Sequence, residues 1–267
     1  MTDGAPAGGR DKEWNASAYH ILSEPQFAWG LRVLERVQLA GDELVLDAGC
    51  GSGRVTAAIA SRLEHGVVVG CDLSENMARS AVKSLGNAPR SAVVCAELLT
   101  LPFRGVFDLI FSTATFHWIR DHDRLFTALR AALRSRGRLE AQCGGGPNLA
   151  TIHGRADALA ATEPFRRHFA AWEEPWLFAS PEETTSRLEQ AGFAAIDCWL
   201  EHAPTTFPDG EQFGAFIESV VMRPYLARLP DPTLRREFLD TIVARAAADD
   251  PAFTLDYWRL NISAATM

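Results

Sequence analysis

An aspartate followed by three glycines at alternate positions is the motif of this sequence that points most directly to chemistry. Asp47 precedes Gly49, Gly51 and Gly53, after an aliphatic run and before a helical pattern. Glycines at such a turn let the backbone bend sharply and approach a ligand, because no Cβ is in the way. The spacing differs from the Gly-x-Gly-x-x-Gly of dinucleotide binders, and the leading carboxylate favours a cationic ligand over a pyrophosphate. A tight turn without a ligand is the alternative.

Two further acids follow the next aliphatic runs. Asp72 can accept hydrogen bonds from both hydroxyls of a ribose, although it could also complement the dipole of the following helix. Glu97 can accept from the amino group of an adenine, and it could equally be a surface acid. Because the carboxyl ends of parallel strands meet at one edge of a sheet, we expect Asp47, Asp72 and Glu97 to surround one ligand there.

The elements that must position these residues follow from the hydrophobic pattern. Aliphatic runs without alternation are separated by helical patterns, which predicts an α/β fold with a parallel sheet covered by helices on both faces. The predicted strands are 43–47, 67–71, 91–95, 107–111, 137–142, 194–202 and 255–264. The predicted helices are 26–37, 54–63, 74–85, 121–133, 149–169, 181–190, 213–229 and 233–248.

Bulk composition narrows the class of protein. A length of 267 residues fits one α/β domain, alone or with a smaller insertion, and a net charge of −8 argues mildly against nucleic-acid and anionic-membrane partners. The five cysteines form no CxxC pair, which favours free thiols in a reducing compartment, and residues 1–10 do not resemble a signal peptide. We therefore expect a cytoplasmic protein, as a monomer or homodimer, with no nucleic-acid or membrane partner.

Taken together, these motifs resemble the class I methyltransferases that use S-adenosylmethionine (SAM). The stretch 47–53 resembles their first motif, Asp72 their ribose acid, 96–98 their adenine-side segment and 107–112 their fourth-strand motif. More narrowly, Trp14 and Tyr19, the run 116–119 and the pair 121–122 resemble the trans-aconitate methyltransferase-like branch.

The resemblance implies a doubly wound, Rossmann-like sheet of seven strands, in which 255–264 runs antiparallel between the fifth and sixth strands. It implies a lid segment over 1–40 and a core made of 41–148, 181–204 and 252–267. A helical cover over the acceptor would be formed by 149–180 and 205–251.

The resemblance also implies the residues of the site, with SAM as cofactor, S-adenosylhomocysteine as product and no metal. His117 and Tyr19 are the candidate catalytic residues; His117 could be a general base, could orient the substrate, or could only pack against the cofactor. The predicted cofactor residues are Asp47, Gly49, Cys50, Gly51, Gly53, Asp72, Leu73, Met77, Ala96, Glu97, Leu98, Ser112 and His117. The predicted substrate residues are Trp14, Tyr19, Trp118, Gly145 and Asn148.

The predicted function is methylation of a small molecule, most simply O-methylation, with a carboxylate as one possible acceptor. The sequence identifies no set of arginines that would bind such a carboxylate, and the fold does not specify a substrate. Three alternatives stay open: a natural-product acceptor, a carrier-bound acceptor, with N- or C-methylation included, and a non-catalytic SAM-binding module used for regulation.

Overall fold

The computed structural model describes residues 24–267 and centres on a seven-stranded sheet. The strands of this sheet are β1 (Leu44–Ala48), β2 (Val67–Asp72), β3 (Ser91–Cys95), β4 (Phe107–Thr113), β5 (Leu133–Gly144), β6 (Ala194–His202) and β9 (Trp258–Ala265). Their order across the sheet is β3-β2-β1-β4-β5-β9-β6. A separate two-stranded ladder joins β7 (Thr205–Thr206) to β8 (Thr254–Leu255).

Nine α-helices connect these strands within the described residues. They are α1 (Glu24–Arg36), α2 (Arg54–Ala60), α3 (Glu75–Leu85), α4 (His122–Ala132), α5 (Ala150–Ala160), α6 (Pro181–Gln190), α7 (Gly210–Phe216), α8 (Arg223–Arg228) and α9 (Pro232–Ala246). None of the helices among residues 24–267 combines the length and the apolar character that crossing a membrane needs.

Both faces of the central strands are buried, as the aliphatic runs predicted, whereas the outer strands β3 and β6 are partly exposed. In β1, Val45 packs into the cluster beneath α1 and α2, whereas Leu46 packs into the cluster on the opposite face. The other strands of the core follow the same alternation, with Leu109 and Ile110 of β4 on opposite sides. Strand β9 pairs antiparallel with both β5 and β6. The seven-stranded, mostly parallel sheet with one reversed strand is therefore confirmed.

The second half of the chain departs from two predicted helices. The helix predicted over 149–169 ends at Ala160, because Pro164 has no N–H to donate and restricts the residue before it. The helix predicted over 213–229 is divided into α7, a π-helical turn at Ile217–Val221 and α8, which begins anew with Pro224 in its first turn. Residues 205–206, predicted as cover, form strand β7 instead of helix.

A third apolar cluster lies above the carboxyl end of the sheet. It is built from residues of α5, α7, α8 and α9, together with Trp176 and Tyr257, and it includes many aromatic rings. Within it, the hydroxyl of the buried Tyr225 donates a 2.6 Å hydrogen bond to Asp157, which links α8 to α5. The two segments of the predicted cover thus share one core, although the division of the chain into lid, core and cover stays a prediction.

The tight packing of the glycine turn against α3 makes a testable prediction. A Cβ at Gly53 would lie 2.7 Å from the Cα of Ala81, and Gly53 has a φ of 81°. We expect Gly53→Ala to lower the free energy of unfolding by about 2–4 kcal/mol, from overpacking and left-handed strain together. Urea unfolding measures this loss.

Gly51→Ala is the matched control, since Gly51 has a φ of 52° but a Cβ there would meet no atom of residues 24–267 within 4 Å. Gly51→Ala should lower the free energy of unfolding by only about 1–2 kcal/mol, because backbone strain is its sole effect. Equal losses in the two variants would contradict the packing role of Gly53.

Candidate active site

The glycine turn is held in place by the neighbouring strand and by an acid. The N–H groups of Gly49 and Cys50 donate to the carbonyl of Cys71, at 2.7 and 3.0 Å. Asp72 accepts from the N–H of Gly51 through one carboxylate oxygen and from the N–H of Ser74 through the other, each at 2.9 Å. Asp72 therefore joins the turn after β1 to the start of α3.

Asp47 lies beneath this turn. It is only 2% exposed, and the hydroxyl of Thr56 donates to its carboxylate at 2.6 Å. Burial raises the pKa of Asp47 to about 7, an effect that the nearby Asp72 carboxylate increases and the Thr56 hydrogen bond opposes. A buried carboxylate next to the turn stabilises positive charge in the space above it.

An open cleft of about 1230 Å³ lies over the carboxyl edge of the sheet. One wall carries Asp72 and Glu97, at the ends of β2 and β3, and the facing wall is formed by residues 171–175 and 218–235 of the predicted cover. Of the residues predicted to bind cofactor or substrate, those that line this cleft are Gly49, Asp72, Leu73, Met77, Glu97, Leu98 and Trp118.

Apart from His117, the remaining predicted cofactor residues are not on the wall of the cleft. Ser112 is 1% exposed and donates to the carbonyl of Ala48 at 2.6 Å, so that it braces β4 against β1. Cys50 packs against Gly70, whose missing Cβ leaves room for its sulfur atom. The others in this group are Asp47, Gly51, Gly53 and Ala96. Cofactor contacts by this group stay predictions.

A second, smaller cavity of about 50 Å³ lies deeper, beneath the cover. Ala114 and Trp118 line both this inner cavity and the cleft, so the two spaces are neighbours. The polar side chains on its wall are Gln26, His117, Asn148, His153, Tyr257 and Arg259. An acceptor in the inner cavity would lie directly beside a ligand in the cleft.

His117 faces the inner cavity as a neutral hydrogen-bond donor. Burial and the charge of Arg259 lower the pKa of His117 to about 3, so its ring is uncharged near neutral pH. Its Nδ1 accepts from the N–H of Gly144 at 3.2 Å, which leaves the proton on Nε2. A ring in this state is a poor base, and the geometry favours the orienting role among those that the sequence left open.

Arg259 is the functional candidate that the sequence analysis missed. This residue of β9 is 3% exposed; its Nε donates to Gln142 at 3.4 Å and its guanidinium lies 4.5 Å from the ring centre of Trp29. Gln142 in turn donates to Asn261 at 2.8 Å. The alternation of Arg259 and Asn261 in an otherwise apolar final strand was the pattern that could have revealed a polar stripe on its inner face.

The other predicted substrate residues do not all line the inner cavity. Asn148 lines the inner cavity. Its side-chain oxygen Oδ1 accepts from the N–H of Trp258 at 3.0 Å, so its side-chain nitrogen Nδ2 is left as a donor. Gly145 is packed instead, because a Cβ there would lie 2.5 Å from the Leu260 side chain. Trp14 and Tyr19 lie outside the described residues.

Comparison with known proteins connects this geometry to a family. A family model described as a methyltransferase domain matches residues 45–137. The trans-aconitate 2-methyltransferase of Methylobacterium radiotolerans is 31% identical over 237 residues, which cover 85% of this chain and 86% of that protein. The chain belongs to the trans-aconitate 2-methyltransferase branch of the class I SAM-dependent methyltransferases. This methyltransferase is also similar to the malonyl-[acyl-carrier protein] O-methyltransferase of Geobacter sulfurreducens, at 30% identity over 66% of this chain and 64% of that one.

Solved structures show the same fold. The phosphoethanolamine N-methyltransferase 2 of Haemonchus contortus, in complex with S-adenosylhomocysteine, matches with a TM-score of 0.60 and 19% identity, over 96% of this chain and 57% of that chain. The YcgJ protein of Bacillus subtilis matches with a TM-score of 0.61 and 15% identity, over 93% and 98%. At these identities the likeness concerns the fold alone.

The cleft of this methyltransferase suits the cofactor of its family. Two acids at the edge of the sheet, Asp72 and Glu97, line the cleft together with Gly49 of the glycine turn. The buried Asp47 precedes this turn, and a carboxylate there would favour a cationic ligand. Hydrogen bonds from a ribose to Asp72 and from an adenine to Glu97 stay predictions. Bound SAM would thus be held between the strand ends and the cover.

The raised pKa of Asp47 predicts how the cofactor-free protein responds to pH. The folded pKa of about 7 lies above the ordinary value of 3.8, so stability is lost as the pH rises through this interval. Asp47→Asn keeps an acceptor for Thr56 without the buried charge. At pH 8 we expect this variant to have a higher free energy of unfolding than the wild type. The difference should be about 4 kcal/mol at most, because each unit of pKa shift corresponds to roughly 1.4 kcal/mol.

Urea unfolding between pH 4 and pH 8 tests this, and the difference should vanish near pH 4. Asp42→Asn is the control, because Asp42 is exposed to solvent and its substitution removes no buried charge. A constant difference between wild type and Asp47→Asn across the whole range would show that Asp47 is not the titrating group.

The neutral state of His117 makes a second prediction. His117→Asn can still accept from Gly144 and donate into the inner cavity, whereas His117→Phe can do neither. In the Phe variant, kcat/KM for the acceptor should fall by roughly 10- to 100-fold, because a hydrogen bond to a charged group usually contributes that much. The fall should be much smaller in the Asn variant. Affinity for S-adenosylhomocysteine, measured by calorimetry, should change little in either.

The pH dependence distinguishes a donor from a base. With a pKa of about 3, His117 should contribute no inflection to kcat/KM between pH 5 and 8. An inflection in this interval that disappears equally in both variants would establish the base role instead.

Proposed function

We propose that this methyltransferase esterifies a carboxylate of a small organic acid. The observation that carries the proposal is the buried guanidinium of Arg259 on the wall of the inner cavity, next to the cofactor cleft. An arginine presents a rigid fork of donors that matches the two oxygens of a carboxylate. Two relatives support the same chemistry by their names, since trans-aconitate is a carboxylic acid and the malonyl group has a free carboxylate.

The chemistry of ester formation agrees with the state of His117. Bound SAM would supply a methyl group on a sulfonium: a carboxylate oxygen would form a bond to the methyl carbon while the C–S bond breaks and its electron pair stays on sulfur, which leaves as a neutral thioether. No proton leaves the acceptor, because a carboxylate is already ionised near pH 7. The site therefore needs donors that hold one oxygen and leave the other to react. His117 Nε2, the Asn148 amide nitrogen and Arg259 are donors of this kind.

A carrier-bound acid is the second candidate. Among residues 24–267 the cleft is partly open to solvent, so a long acceptor could enter. Comparing a free acid with the same acid attached to a carrier protein separates the two candidates. In both, the reacting group is a carboxylate, and the inner cavity has the same role.

The compartment and partners belong to the same proposal. All five cysteines are free thiols, three of them buried, which supports a reducing compartment such as the cytoplasm. A monomer or homodimer without a nucleic-acid partner stays a prediction.

Product analysis tests the proposed function directly. Purified protein is incubated with SAM and a panel of carboxylic acids, and methylated products are treated with mild alkali. A methyl ester releases methanol under these conditions, whereas an N- or C-methyl group does not. Transfer to a base-stable position, or no transfer to any acid despite tight binding of S-adenosylhomocysteine, would contradict the proposal.

Substitution of Arg259 tests the residue that carries it. Arg259→Met should lower kcat/KM for the acid by about 100-fold or more, since hydrogen bonds to a charged group contribute roughly 1.5–3 kcal/mol each. Arg259→Lys, which keeps the charge but not the fork, should fall between Arg259→Met and the wild type. Arg36→Met removes a half-exposed arginine near Glu201 and is the matched control. Retained turnover in Arg259→Met, with folding verified by its melting temperature, would exclude Arg259 as the carboxylate ligand.

A further inference from the structure

A second histidine on the wall of the inner cavity makes no side-chain hydrogen bond within residues 24–267. This residue is His153, on α5. It differs in this respect from His117 and Asn148, whose side chains each accept from a backbone N–H. Neither ring nitrogen of His153 is among the fully enclosed polar atoms of the described residues that lack a partner, so the ring keeps accessible surface. A ligand in the inner cavity can therefore reach it.

Stacking holds the ring of His153 in place without using its nitrogen atoms. Its centre lies 4.3 Å from that of Trp176 and 5.7 Å from that of Phe178, with interplanar angles of 24° and 19°. Burial lowers the pKa of His153 to about 4, so the ring is neutral near pH 7 and has one donor and one acceptor nitrogen. The bonding partner decides which nitrogen carries the proton. No described residue makes this choice, so it is left to the ligand.

The position of His153 places it close to the donor of His117. Both histidine rings lie against Phe178, with centres 5.8 Å from it for His117 and 5.7 Å for His153. The inner cavity, at about 50 Å³, holds roughly four water-sized groups, so little more than a carboxylate fits there. A carboxylate in this space needs several donors to replace the water that it loses.

We propose that His153 binds the acceptor, by donating a hydrogen bond to the carboxylate oxygen that does not react. The ring neither gives nor takes a proton during methyl transfer, and its contribution is to hold and orient the acid. This inference rests on the proposed function, because it concerns the acceptor of the same reaction. It goes beyond that function by assigning acceptor recognition to a residue that stacking has positioned for a ligand.

Substitution of His153 tests the inference in kinetics. The probe is the acid with the highest kcat/KM in a panel that contains hexanoate, benzoate and trans-aconitate. His153→Phe keeps a ring that can stack and removes both nitrogens, so KM for this acid should rise by roughly 10- to 100-fold, as expected for loss of a hydrogen bond to a charged group. The value of kcat should change little, because the bond to the unreactive oxygen is present before and during transfer.

Two further variants separate recognition from packing. His153→Gln keeps a donor, so its KM should lie between those of His153→Phe and the wild type. His202→Phe is the matched control, because His202 also stacks on a tryptophan, 4.6 Å from the ring centre of Trp258, but lines neither the cleft nor the inner cavity. Its KM should equal that of the wild type. Affinity for S-adenosylhomocysteine, measured by calorimetry, should change little in all three variants.

Nitrogen NMR of the histidine rings tests the same contact in the wild-type protein. Without an acid, both tautomers of His153 are open to it, and its two ring nitrogens should have averaged chemical shifts. Addition of the probe acid to protein saturated with S-adenosylhomocysteine should select one tautomer and move the two shifts apart. Because this measurement needs no variant, the inference stays testable if His153→Phe fails to fold.

The outcomes separate the inference from the proposed function. An unchanged KM in folded His153→Phe, or ring signals of His153 that do not respond to the acid, would overturn the inference and leave carboxylate methylation standing. Equal losses of affinity for the acid and for S-adenosylhomocysteine would show a packing role and overturn it as well. Methylation of no acid in the panel would overturn the proposed function and the inference with it.

Discussion

The direction of one strand determines how the site is assembled. Strands β1 to β5 are parallel, so their carboxyl ends, with the glycine turn, Asp72, Glu97 and His117, meet at one edge of the sheet. Because β9 runs antiparallel between β5 and β6, its amino end arrives at that same edge, with Arg259 opposite Gly144. A parallel final strand would place its first residues at the far edge. The reversal therefore brings a cation beside the end of the fifth strand.

Burial then determines the electrostatic state of the groups collected there. It raises the pKa of Asp47 and lowers the pKa of both His117 and His153. The histidines become neutral donors, and Arg259, whose guanidinium keeps its charge in proteins, remains cationic. One side of the site is thus acidic beneath the cofactor cleft, and the other side is a cationic, donor-rich cavity. This separation suits a cationic methyl donor that meets an anionic acceptor.

The cover contributes shape more than charge. Its aromatic residues line the inner cavity, with the rings of His153, Trp176 and Phe178 stacked against one another and with Tyr225 held by Asp157. Such packing gives the cavity rigid walls, since close-packed aromatic side chains have few alternative positions.

The sequence by itself determined the local features of this protein. Uninterrupted aliphatic runs predicted the core strands. The helix starts predicted at residues 74, 121 and 181 lie at or next to the N-caps Ser74, Asp121 and Ser180, and such starts are local because a cap bonds to a backbone N–H only two or three residues away. The motif after β1 predicted the ligand-binding edge, since all parallel strands expose their carboxyl ends there. The family resemblance added the reversed strand, which periodicity alone does not show.

Only the tertiary structure decided which residues face the same space. Arg259 is 142 residues distant from His117 in the chain, and Gln26 is farther still from Arg259, so no local pattern relates them. The end of α5 at Ala160, before Pro164, and the new start of α8 at Pro224 were missed because apolar spacing continued across them, while proline has no N–H to continue a helix. The protonation states of the site residues also depend on burial by segments that are distant in the chain. The positions of the strands follow from the sequence, but the charge and shape of the inner cavity follow from how those strands are assembled.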